Sequence, residues 1–248
     1  MTKNIHVKLG DLIMNENYLD VEYNVIVPQV VVLKMSYMFM INYNYLVIDR
    51  VNKKSVIIDP AWDMEKIDQA LASAQTSLSG ILLTHSHPDH IHLAKPLAAK
   101  YRCPIWMHNE EIETSGFYAQ QLIGIDESPW SVGNMVIQPI FTPGHTPGSV
   151  CYLIGDNLFT GDTLFAEGCG LCSGIQAAHT MWASLEHLKN RLKPETFVFP
   201  GHNYGRPPGQ IFSLLLKDNI YLQFKNENDF AKYRLRKGQN KLKYFDFC

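Results

Sequence analysis

Three imidazoles and a carboxylate crowd into His85-Ser86-His87-Pro88-Asp89-His90, directly behind the apolar run Gly80–Leu83. A short run with no polar alternation reads as a strand buried on both faces. Any fold for this chain must bury that strand in a covered sheet and release the polar cluster at its end. In an extended segment, residues two apart point the same way, so His85 and His87 can reach one cation together. Pro88 favours a turn into a helix with Asp89 in its first turn, where the helix N-terminal field keeps an acid charged. The change of direction carries Asp89 and His90 toward a second position.

The theme returns in Thr142-Pro143-Gly144-His145, in Gly161-Asp162-Thr163 and in Pro200-Gly201-His202-Asn203. Each time an apolar strand ends in glycine and then a potential ligand. Glycine permits a tight turn at the strand end, and loops along one sheet edge are where sites are built. Five histidines and two aspartates suit two zinc ions sharing a carboxylate, and hence metal-assisted hydrolysis. Asp89 and Asp162 are also the candidate catalytic carboxylates, able to orient a water and take its proton. Asp162 alone would serve equally as a turn cap. His6, His108, His179 and His187 read as surface or hydrogen-bonded core residues, and His92 carries no assigned role.

With 248 residues and 46% hydrophobic content, the chain can build one large domain or two small ones. A net charge of −2 supplies no basic field for nucleic acid. The N-terminus lacks an apolar signal core, and no apolar run reaches membrane-spanning length. The expectation is a cytoplasmic protein. Five scattered cysteines do not suggest a disulfide framework. Cys169 and Cys172 form a C-x-x-C with no second pair; they read as buried side chains, with redox chemistry a minor alternative.

Strands are expected over residues 24–33, 37–49, 55–58, 80–83, 104–107, 134–141, 149–154, 157–160 and 196–199. Gly155-Asp156 should close a hairpin. Apolar spacing predicts helices over residues 64–74, 91–101 and 177–192. Residues 120–132, with Gly, Pro and Asp, read as a surface loop. Beyond Pro207-Pro208-Gly209 the chain leans helical and basic, through Lys232, Arg234, Arg236, Lys237, Lys241 and Lys243. The expected division is a catalytic domain over 1–205 and a C-terminal helical extension over 206–248. A sandwich of two mixed sheets with helices outside, of α+β class, fits the strand count.

The H-x-H-x-D-H segment with His145, Asp162 and His202 resembles the metallo-β-lactamase superfamily. The resemblance implies a four-layer αβ/βα sandwich with metal at one edge. It implies His85, His87 and His145 at a first metal, Asp89, His90 and His202 at a second, and Asp162 bridging them. Zinc is the expected metal, with iron and manganese as alternatives. Gly161-Asp162-Thr163-Leu164-Phe165 and Gly168-Cys169-Gly170 are similar to the glyoxalase II branch, whose members hydrolyse thioesters. Leu171, Cys172 and Ser173 stand where that branch has a basic residue and a tyrosine. His92 and Leu93 stand where it has glycines. Both departures look more like the zinc-dependent hydrolases encoded with bacterial polyketide synthases. That likeness implies an acyl carrier protein thioester as substrate. Hydroxyacylglutathione hydrolysis is the alternative, and a persulfide dioxygenase or a non-enzymatic metal-binding protein stands further off. Arg234 and Lys237 occupy a place comparable to the glutathione-binding cations of glyoxalase II and are candidate substrate contacts; a solvated helix face is the other reading.

Overall fold

The structure, a computed structural model, describes residues 28–38 and 40–237. Residues 24–27 of the first expected strand, together with His6, Phe39, Lys241, Lys243 and Cys248, lie outside the described residues. Among the described residues no helix is long and apolar enough to cross a membrane.

A first sheet runs in chain order. It takes β1 (Gln29–Tyr37), β2 (Met40–Asp49) and β3 (Lys54–Ile58) antiparallel to one another. After helix α1 (Met64–Ala74) comes β4 (Ser77–Leu82), then α2 (Pro88–Ile91), α3 (Ala94–Tyr101), β5 (Ile105–His108), α4 (Asn109–Ser115) and β6 (Leu122–Ile125), with β3 to β6 parallel. The second sheet holds β7 (Trp130–Val132), β8 (Met135–Phe141), β9 (Val150–Ile154) and β10 (Asn157–Gly161) as antiparallel neighbours. Helix α5 (Ile175–Arg191) crosses over to β11 (Phe197–Pro200), parallel to β10, and β12 (Gln210–Ile211) closes the edge. Helices α6 (Phe212–Asp218) and α7 (Glu227–Arg234) follow.

Strand alternation sorts the core into three apolar layers. Tyr43, Tyr45 and Val47 of β2 face Ile137, Tyr152 and Phe159 of the second sheet. Their neighbours Leu46 and Ile48 pack outward against Ile67 and Leu71 of α1 and Leu97 of α3. On the far side, Ile140, Leu158 and Val198 meet Met181, Leu185 and Leu188 of α5, with Phe212 and Phe230 from α6 and α7 in the same layer. The result is the expected helix–sheet–sheet–helix sandwich with two mixed sheets. The C-terminal helices share a core layer with α5.

Four expectations change. The first strand, expected to end at Leu33, runs on through Tyr37, and the chain turns at Met38 in a left-handed conformation. The helix expected over 91–101 is two helices, because the Leu93 amide is taken by the Pro60 carbonyl (2.9 Å) and leaves the helical ladder. The loop expected over 120–132 contains β6, paired in parallel with β5, and β7, paired with β8. Its Gly and Pro content hid strands that tertiary pairing stabilises. Helix α4 was not anticipated; it opens with His108 as its cap and Glu110 and Glu111 in its first turn.

Candidate metal centre

The ends of β4, β8, β10 and β11 meet at one edge of the sandwich, and the two sheets are tied together there. The Tyr43 amide donates to Gly201 O (2.9 Å), Val150 N to Thr84 O (3.0 Å) and Tyr152 Oη to Leu83 O (2.9 Å). All seven residues singled out in the sequence converge at that edge. The turn into a helix is as expected: α2 starts after His87 with Pro88 in its first turn, and Asp89 follows. The glycines before the later three serve different ends. Gly144 and Gly161 have positive φ (138° and 48°). Gly201 is a close-approach position, where a Cβ would lie 2.5 Å from His90 Cε1.

His85 Nε2 lies 3.1 Å from His87 Nδ1, which lies 3.0 Å from His145 Nε2. On the other side, His90 Nε2 is 3.7 Å from Asp89 Oδ2, and His202 Nε2 is 3.3 Å from that same oxygen. Asp162 stands between the groups. Its Oδ2 is 3.6 Å from His145 Nε2, while its Oδ1 is 3.4 Å from His90 Nε2 and 3.6 Å from His202 Nε2. Ligands about 2.0–2.1 Å from a tetrahedral ion stand about 3.4 Å from one another, so both groups have the size of a zinc cage.

Hydrogen bonds fix which nitrogen faces inward. His145 Nδ1 donates to Leu171 O (2.9 Å) and His202 Nδ1 to Ile41 O (2.8 Å). His90 Nδ1 donates to Asp59 Oδ2 (2.9 Å). His85 Nδ1 donates to Thr84 Oγ1 (3.0 Å), which in turn donates to Asp59 Oδ2 (2.6 Å). Four rings therefore turn Nε2 to the centre, as metal-bound histidines do. Lone pairs aimed at one another repel unless a cation lies among them. His90 Nε2 and Asp162 Oδ1 are buried and have no hydrogen-bond partner, and buried polar atoms are seldom left that way. The donor set thus fits metal: His85, His87 and His145 could hold one ion, Asp89, His90 and His202 another.

Electrostatics follow the same division. Burial, reinforced by His145, pushes His87 down to about 4, and burial with His90 beside it lowers His85 as well. His90 is the opposite case: burial opposes its charge, yet Asp89, Asp162 and Asp59 raise it to about 10. Asp89 is half-buried, which opposes its charge, but His90, His202 and the Asn42 amide hold it well below the carboxylate range.

Several supporting residues carried no motif. Asp59, buried and in a left-handed conformation (φ 49°), also accepts from Thr84 N (2.8 Å). Asn42 Nδ2 donates to Asp89 O (2.9 Å) and Asp89 Oδ2 (3.0 Å), and Asn42 Oδ1 accepts from Trp62 Nε1 (3.0 Å). His92 Nδ1 accepts from Trp62 N (3.3 Å) and its ring lies beside the Trp62 indole. Asn42 and Asn44, which interrupt an apolar strand, were legible only as oddities. Asn44 braces the loop after β3 through Asp59 O and Ala61 N. Arg234 is 6% exposed; its Nε donates to Gly170 O (2.8 Å) and one terminal nitrogen to Tyr221 Oη (3.2 Å). Lys237 is exposed. Cys169 is buried and Cys172 half-buried, and burial raises both thiols, Cys172 to about 11.

A four-layer sandwich with an H-x-H-x-D-H loop and three more ligand loops at one edge defines a class, and comparison with known proteins agrees. The model of the metallo-beta-lactamase superfamily matches residues 40–202. The chain belongs to this superfamily. It is 42% identical over 206 residues to a probable polyketide biosynthesis zinc-dependent hydrolase, BaeB, of Bacillus velezensis, covering 82% of this chain and 92% of that protein. It is 37% identical over 217 residues to a similarly described hydrolase, PksB, of Bacillus subtilis, covering 87% and 96%. A hydroxyacylglutathione hydrolase of Alkalilimnicola ehrlichii is 34% identical over 167 residues, covering 67% of this chain and 63% of that one. Among solved structures, a metallo-beta-lactamase from Staphylococcus aureus superposes with a TM-score of 0.76 at 22% identity, covering 84% and 67%, and shares the fold. Family and relatives support a hydrolase role.

Proposed function

We propose that this chain is a zinc-dependent thioester hydrolase that binds two metal ions and releases acyl groups from carrier-protein thioesters in polyketide biosynthesis. The observation that carries the two-ion reading is Asp162, whose two oxygens face two separate ligand groups. In this reading His85, His87 and His145 would hold the first ion and Asp89, His90 and His202 the second, with Asp162 between the two groups. The bound metals supply a water acidic enough to deprotonate near neutral pH and a Lewis acid for the carbonyl oxygen. The relatives described as polyketide biosynthesis hydrolases support the carrier-protein substrate.

The chain's own residues leave the attack to water. Ser86 Oγ, between two of the histidines, donates to Glu111 Oε1 (2.6 Å). The thiols of Cys169 and Cys172 are held protonated by burial. Asp89 or Asp162 would orient the water and accept its proton, and a thiolate leaves without needing an acid. Arg234 braces the Gly168–Cys172 turn through Gly170 O, so of the two candidate substrate cations Lys237 is the exposed one that would meet an acidic carrier or its phosphate. Metal analysis with mass spectrometry of acyl carrier proteins, run beside lactoylglutathione, tests the reading. The expected result is two metal ions per chain and deacylated carrier protein. Turnover of lactoylglutathione alone would replace it with the glutathione thioester reading. Asp162→Ala should lose metal and all hydrolysis; normal turnover would remove the mechanism.

A further inference from the structure

One buried acid outside the ligand set touches both loops that supply the first histidine group. Glu111, in the first turn of α4, is 1% exposed. Its Oε1 accepts from Ser86 N (2.7 Å) and Ser86 Oγ (2.6 Å), in the residue between His85 and His87. Its Oε2 accepts from Thr146 Oγ1 (2.7 Å) and Gly148 N (3.0 Å), just past His145. The first loop leaves the first sheet and the second leaves the second sheet. Four donors on two loops converge on one carboxylate, two per oxygen, with no cation among the hydrogen-bond partners. A bond to a charged acceptor is stronger than a neutral one and fixes geometry. The approach is close enough to dictate sequence: a Cβ on Gly148 would sit 2.1 Å from the Glu111 amide nitrogen. This accounts for the second glycine of the Thr142–Gly148 motif, which ligand geometry alone leaves unexplained.

We propose that Glu111 is a positioning residue that clamps the His85–His87 loop to the His145 loop, so that the first metal group is assembled before metal arrives. Without the clamp, His145 sits on a loop that must be ordered against the opposite sheet at the moment of binding, and affinity falls by that ordering cost. An amide cannot replace the acid. Glutamine turns one acceptor oxygen into an NH2 group that faces either the Ser86 or the Gly148 backbone N–H, so one loop is released whichever way it rotates.

The inference rests on reading His85, His87 and His145 as a metal site, and the test separates the two. Metal-stripped wild type, Glu111→Gln and Thr146→Val are titrated with cobalt against a chromophoric chelator, with circular dichroism recorded on the same samples. The first equivalent should bind about 10–100-fold more weakly to Glu111→Gln at wild-type secondary structure. Thr146→Val, which removes one of the four bonds, should shift the same way by less. Wild-type affinity in Glu111→Gln overturns the clamp. So does a loss of affinity in both variants that merely tracks an unfolded fraction. If wild type takes up no cobalt, the metal reading falls and the clamp with it.

Discussion

Asp59 sets the tautomer of two candidate ligands at once, and replacing it by asparagine should disarm both without unfolding the chain. The carboxylate accepts from Thr84 N on Oδ1, and from Thr84 Oγ1 and His90 Nδ1 on Oδ2. Thr84 Oγ1 in turn accepts from His85 Nδ1. Both imidazoles therefore carry their proton on Nδ1 and offer Nε2. In Asp59→Asn the amide oxygen can keep the Thr84 N–H, which places NH2 where Oδ2 was. That group donates to His90 Nδ1 and to Thr84 Oγ1, so the network reverses and the protons move to Nε2 of both rings. The opposite rotamer points NH2 at the buried Thr84 N–H and costs about 1–3 kcal/mol. Losing an orienting partner of this kind weakens metal binding about 10–100-fold, or roughly 1.4–2.7 kcal/mol. The two routes cost about the same, so neither offers an escape. Zinc titration against a competing chelator reads the change, with calorimetric melting of the metal-free protein as the control. Wild-type zinc affinity in Asp59→Asn would refute the assignment of these tautomers.

Two further outcomes follow from the same geometry. In the metal-free protein His87 is held down to about 4 and His90 up to about 10. At pH 7–8 His85 and His87 are then neutral while His90 is protonated. Filling the first group should release fewer protons than filling the second, whose apparent affinity rises with pH up to about 10. Calorimetry in buffers of different ionisation enthalpy measures this, and equal proton release at both steps would contradict it. In the helical layer, Phe230→Ala removes a fully buried ring of α7 and should cost about 3–5 kcal/mol. An unchanged melting temperature would mean that α7 is not part of the core it shares with α5.

Local pattern carried much of the outcome. The helix expected over Met64–Ala74 has those bounds, because its apolar face repeats at the helical period and needs no distant partner. The Gly155-Asp156 hairpin is equally local, with Gly155 in the left-handed region. The seven polar residues announced themselves because metal ligands are scarce residue types, and three of their positions follow an apolar strand ended by glycine. The strand β6 escaped notice because its Gly-containing segment is held by parallel pairing with β5, which no window of sequence records.

What the sequence determined by itself is therefore chemical and periodic: which side chains could bind metal, and which strands would deliver them. What only the tertiary structure decided is orientation. Asp59 lies 31 residues from His90, Asn42 lies 47 from Asp89, and Glu111 lies 25 from Ser86. Such pairs form only when strand pairing in the first sheet brings β2, β3, β4 and the chain after β5 side by side, within hydrogen-bond reach. A buried aspartate or glutamate has no periodicity to betray it. Its role is set by the donors that surround it after folding.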